Sequence, residues 1–114
     1  MNNEIKNWNY TLRDASGGWL GQIVLTSDGA FMSITDWGNL SNAWRSTGSQ
    51  HKDFRHFIAS LNVEYFGSKL YQGMTYILYS GKCEKACMTF AEKILPPLQE
   101  AIRKELEAEK SQAL

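Results

Sequence analysis

Trp19-Leu20-Gly21-Gln22-Ile23-Val24-Leu25-Thr26-Ser27-Asp28-Gly29-Ala30-Phe31-Met32-Ser33-Ile34-Thr35 (residues 19–35) decides the fold. Residues 19–26 are rich in β-formers, and Asp28-Gly29 is a hairpin signal because both residues tolerate positive φ. Residues 30–35 then return as a strand, with Met32 and Ile34 on one side and Phe31 and Ser33 on the other. Upstream, Trp8-Asn9-Tyr10-Thr11-Leu12 alternates, which places Trp8, Tyr10 and Leu12 on one face. Ser16-Gly17-Gly18 supplies the turn into the next strand. Three strands joined by short turns make an antiparallel meander, and its open face must be covered by something else.

Downstream the pattern changes. Residues 36–44 read as a loop with two large aromatics, and 46–49 as a second flexible stretch. Over residues 52–61, Phe54, Phe57, Ile58 and Leu61 fall at i, i+3, i+4 and i+7, the spacing of an amphipathic helix. Asn62 breaks that pattern, 63–70 resumes it, and Gly73 ends it. Residues 74–79 read as a fourth strand, marked by Tyr76, Ile77 and Tyr79. Beyond it, Cys87, Ala91, Ile94, Leu95, Leu98, Ile102 and Leu106 form a continuous apolar helical stripe. Gln99–Arg103, Glu100–Lys104 and Arg103–Glu107 are spaced by four on its wet side. Pro96-Pro97 removes two amide donors, so the sequence predicts a kink or break near Leu95, leaving open one bent helix or two. The expected fold class is α+β: an antiparallel meander of three or four strands, packed by a central helical segment and a long, proline-kinked C-terminal helix. Residues 1–114 read as a single domain, frayed at about 1–6 and 111–114.

Composition fits a folded domain, since 43% of the residues are apolar and 21% charged. Twelve cations balance twelve carboxylates, which disfavours a generally basic nucleic-acid binder. The charge is mildly uneven: residues 1–37 carry two cations against four carboxylates, and 38–81 carry four against two. No basic start followed by an apolar run marks a secretory signal, and no stretch has the length of a membrane span. Cys83 and Cys87, four apart, read as reduced thiols in a cytoplasmic protein.

Catalytic patterns are sparse. His51, His56, Cys83 and Cys87 are ligands of zinc-binding type, but their spacing matches no finger and Cys87 lies on the apolar stripe. Cys83 with either histidine is the one thiol–base pairing, and it lacks any activating neighbour in sequence. Gly17-Gly18-Trp19-Leu20-Gly21 has neither the lysine nor the following helix of a phosphate-cradling loop. The expectation is a protein that is not an enzyme, with no cofactor and no metal.

Residues 36–55 are the candidate contact region. Trp37, Trp44, Arg45, Lys52 and Arg55 concentrate there, and tryptophan and arginine are enriched at interface hot spots. For each tryptophan the default reading is a core residue closing so small a domain. A second reading takes Arg45, Lys52, Arg55 and Lys69 as phosphate contacts to nucleic acid. The stripe from Cys87 to Leu106 reads first as packed on the sheet; if the kink lifts its second half away, Leu98, Ile102 and Leu106 would pair with a second copy, as a homodimer through the C-terminal helix, or with a partner helix.

The strings Asp36-Trp37-Gly38-Asn39-Leu40, Trp44, Asp53-Phe54-Arg55-His56-Phe57-Ile58 and Tyr65-Phe66-Gly67-Ser68-Lys69-Leu70 resemble small proteins carried by bacteriophages and prophages. The resemblance spans residues 8 to about 80 and leaves out the tail after Cys83. It implies a small cytoplasmic protein acting during infection or lysogeny, similar to anti-CRISPR proteins in size and in the absence of catalytic motifs. No functional residue carries over with it. The expectation is a binding protein that blocks a host or defence complex (CRISPR–Cas) by steric occlusion, with nucleic-acid binding as the alternative and no membrane partner.

Overall fold

The structure, a computed structural model, describes residues 4–48, 50–74 and 81–112. Strands β1 (Asn7–Arg13), β2 (Trp19–Thr26), β3 (Ala30–Thr35) and β4 (Ser41–Ala43) form one antiparallel sheet in the order β1-β2-β3-β4. Helices α1 (Phe54–Ala59), α2 (Val63–Gln72) and α3 (Gly81–Gln112) follow. The α+β meander expected from the sequence is therefore present. The strand expected at 74–79 falls almost wholly outside the described residues.

Register follows from the turns. Leu25 pairs with Phe31 across a turn closed by the Gly29 amide donating to Thr26 O at 3.0 Å. Gly29 has φ +94°, and a Cβ there would lie 2.2 Å from Trp44 O, so both backbone angle and space require glycine. The Trp44 amide in turn donates to Gly29 O at 2.8 Å, which fixes the chain leaving β4 against the hairpin. Where a loop was expected, β4 pairs Ser41 with Met32 and Ala43 with Ala30. The connection into it is held by side chains: the buried Ser33 hydroxyl donates to Leu40 O at 2.8 Å, and the Leu40 amide donates back at 3.0 Å.

The two short helices start at caps. Asp53 accepts from the amides of Arg55 and His56, and Asn62 accepts from that of Tyr65, so the residue that interrupts the apolar periodicity is the N-cap of α2. The helices cover one face of the sheet. Phe31 from β3 meets Phe66 from α2 and Phe90 from α3 edge-on, at centroid separations of 5.1 and 6.3 Å. At Gly67 an added Cβ would sit 2.9 Å from Met88 Sδ, so the missing side chain is what lets α2 and α3 approach.

α3 runs through Pro96 and Pro97 as one helix, which settles the alternative left open between one helix and two. Ile94, Leu95, Leu98 and Ile102, flanking the prolines on both sides, are fully buried. That packing holds the helical path although two backbone hydrogen bonds are lost, since tertiary burial overrides local propensity. Leu98 and Ile102 are thus taken up by the chain's own core, the first reading of the stripe, rather than left for a second copy. Gln99 also departs from its expected place on the wet face. Its amide donates to Ile58 O, Ala59 O and Leu61 O at 3.1, 3.3 and 2.7 Å, satisfying the carbonyl end of α1. Pro96 is exposed. Pro96→Ala is expected to stabilise the fold by about 1–3 kcal/mol, because it restores an amide donor and removes a steric clash. A denaturation midpoint that is unchanged or lower would show that the helix has already relaxed around the ring.

Candidate functional site

The five residues singled out in 36–55 are not brought onto one surface. Arg55 is turned inward, 6% exposed, at the start of α1. Its guanidinium donates to Asp53 Oδ2 at 2.7 Å, to Glu105 Oε1 at 2.9 Å and to Glu109 Oε2 at 2.6 Å. It also lies 4.7 Å from the centroid of the Trp8 ring. The Tyr10 hydroxyl completes the cluster by donating to Glu105 Oε1 at 2.6 Å. Burial pushes the Tyr10 phenol up, and Glu105 adds to the shift. Burial also pushes the Asp53 carboxyl up, but hydrogen bonds from Arg55 and His56 outweigh it and bring the group down to about 2. Arg55 thereby ties β1, α1 and the last turns of α3 together.

Trp44 is also interior, 7% exposed and stacked 6.1 Å from Phe66 with the rings nearly parallel. Its indole Nε1 is buried with no hydrogen-bond partner among the described residues. Trp37 is half-buried against the core. Arg45 and Lys52 are exposed. Of the possible metal ligands, His51 packs edge-on against Phe57 at 5.4 Å and His56 Nδ1 lies 2.9 Å from Asp53 Oδ1. Cys87 is fully buried, where burial and the neighbouring Cys83 push its thiol up.

Two surfaces remain. The first is the face of the sheet opposite the helices. Register places Asn9, Val24, Met32 and Ser41 in one row, and Thr11, Gln22 and Ile34 in the next. Met32 is 43% and Ile34 61% exposed. Across the outward positions of all four strands the one charge is Arg13, at a corner. The signal was in the sequence: Phe31 and Met32, then Ser33 and Ile34, put apolar side chains on both faces of β3.

The second surface surrounds Arg45. One depression of about 360 Å³ is lined by Asn42, Trp44, Arg45, Tyr65, Lys69 and Gln72, among others, and a second of about 320 Å³ by Trp44, Arg45, His51, Lys52 and neighbours. Lys69 Nζ lies 5.6 Å from the centroid of the Tyr65 ring. No helix among the described residues is long and apolar enough to cross a membrane.

No curated protein matches the chain, and no solved structure matches it. The model of a family described as a phage family matches residues 3–80, a stretch that takes in the whole sheet, α1 and α2 and stops short of α3. With well over half of its length matched, from the first strand to the end of α2, the chain belongs to that phage family.

Proposed function

We propose that this phage protein is a non-enzymatic binding protein that covers a surface of a host or defence protein complex, of which a CRISPR–Cas complex is the expected class, and blocks it sterically. The observation that carries the reading is the outward sheet face, with Met32 and Ile34 exposed at its centre and uncharged polar residues around them. An uncharged face with an apolar centre suits a partner surface of the same character, because a charged one would lose water without gaining a counter-charge.

Four strands about 4.8 Å apart and roughly 20 Å long present about 400 Å², half of the ~800 Å² per partner that a stable interface buries. Two copies set face to face would therefore fall short. The area favours a larger partner that also reaches the edge of β4, unpaired among the described residues, or the loops beside it.

The test expresses the chain in a CRISPR-immune strain and scores plaque formation by the targeted phage, alongside capture of the tagged complex. Ile34→Glu is expected to leave stability within about 0.5 kcal/mol, since the side chain is mostly in water. It is expected to weaken capture at least about thirtyfold, the size of a hot-spot loss, and to abolish the restored plaques. Plaque numbers that the wild-type chain does not raise would overturn the defence reading. Undiminished capture by the Ile34→Glu variant would move the contact off this face.

A further inference from the structure

We propose that the two depressions flanking Arg45 form a short binding track for single-stranded nucleic acid, independent of the outward sheet face. Arg45 and Trp44 line both hollows, so the two adjoin, with Lys69 in one and Lys52 in the other. Among the described residues the hollow with Lys69 has no carboxylate in its lining: its polar groups are Arg45, Lys69, Asn42, Gln72, Ser46 and the Tyr65 ring. Two cations beside side-chain amides and a 37% exposed aromatic ring are what a phosphate and an unstacked base require. The amides can bond the Watson–Crick edges of bases only where those bases are unpaired. Three cations over two small hollows match a few nucleotides rather than a duplex.

Two features oppose phosphate here, and both are answered. The carbonyl end of α2 borders the first hollow and disfavours an anion. However, Lys69 O and Tyr71 O already accept from the amides of Gly73 and Met74, and Lys69 sits in the last turn. Asp28 and Asp53 line the second hollow: Arg55 and His56 bond Asp53, whereas Asp28 accepts from the neutral Thr26 hydroxyl and keeps its charge. Arg45, Lys69 and Lys52 outnumber it across the two hollows, and the charge an incoming strand meets is most positive beside Arg45 and Lys69. Arg55, the fourth cation of the sequence-based set, is spent inside the fold.

The test is fluorescence anisotropy of a labelled oligo-dT titrated with the full chain at several salt concentrations. Three phosphate contacts predict a log–log salt slope of about −2. Arg45→Glu and Lys69→Glu should each weaken binding about tenfold or more and make the slope shallower. Tyr65→Ala should weaken binding by about tenfold with the slope retained, as loss of a stacked base does. Lys93→Glu, on the exposed side of α3, and Ile34→Glu should change neither. Absence of a salt-sensitive complex, or one indifferent to Arg45→Glu and Lys69→Glu, overturns the proposal. Equal affinity for a duplex of the same sequence also overturns it. So does displacement of the oligonucleotide by inorganic phosphate or ATP at equal phosphate concentration, which would mark a site for an isolated phosphate group. Ile34→Glu serves both tests: loss of capture with oligo-dT binding intact separates the two surfaces.

Discussion

Phe66→Ala is expected to remove about 3–5 kcal/mol from the folding free energy, the range for truncating a fully buried phenylalanine. Phe66 has no exposed surface, and it joins α2 to two other parts of the fold at once. Its edge contact with Phe31 joins α2 to β3, and its stacking on Trp44 joins α2 to the segment leaving β4. The Trp44 backbone is tied to the hairpin and does not follow into the void, because its amide is bonded to Gly29 O and its carbonyl oxygen lies against Gly29. A cavity that cannot close sits at the costly end of the range. Against a total stability of about 5–15 kcal/mol for a domain of this kind, the loss would leave a sizeable unfolded population. Denaturant titration should show a lower midpoint with an unchanged slope. The neighbouring Tyr65→Ala, on the wet side of the same helix, should cost far less. Equal losses for the two would mean that α2 does not bury the face assigned here.

Periodicity made the β2–β3 hairpin and the α3 stripe legible, because both run long enough for strand alternation or helical spacing to repeat. Ser41-Asn42-Ala43 has no such repeat. Its strand pairing is imposed from outside, by Ser33 clamping Leu40 and by the edge that β3 offers. The prolines left one helix or two open: their local cost is real, but Leu95 and Leu98 on either side are held by burial that no window of sequence reveals. Arg55 was the costliest misreading among the candidate site residues. Beside Trp44 and Lys52 it looked like a surface contact, yet its carboxylate partners Glu105 and Glu109 lie fifty residues away and become neighbours only when α3 folds back. Their i, i+4 spacing was visible, though its meaning depended on the topology. The outward face of β3 was legible and undervalued, since a strand apolar on both sides is one that either is covered twice or leaves a surface for another molecule.

Arg55→Ala should cost about 2–3 kcal/mol near neutral pH and, unlike the loss of Phe66, that cost should shrink on acidification. Removing one side of a buried ion pair costs about 3–5 kcal/mol, and the figure is reduced here because Glu109 is half exposed and Glu105 a third exposed. The variant leaves Asp53, Glu105 and Glu109 facing one another without the guanidinium. In the wild-type protein the Asp53 carboxyl is drawn from 3.8 down to about 2, so below the higher value the unfolded chain binds a proton that the folded chain does not. Stability from this group is therefore fully present above about pH 4 and is lost as the pH falls towards 2. Glu109, held down by its hydrogen bond from Arg55, acts in the same direction. In the variant neither carboxylate has that support. Crowded like charges then favour protonation, and acid relieves repulsion instead of breaking a bond. Urea midpoints of the two proteins should thus lie far apart near pH 7 and converge near pH 3. Arg55→Met should behave as Arg55→Ala does, whereas adding Glu105→Gln and Glu109→Gln to Arg55→Met should recover most of the loss, because the penalty belongs to the unpaired carboxylates. A deficit that stays constant with pH, or one that the glutamine substitutions fail to relieve, would show that Arg55 holds the helices by packing alone.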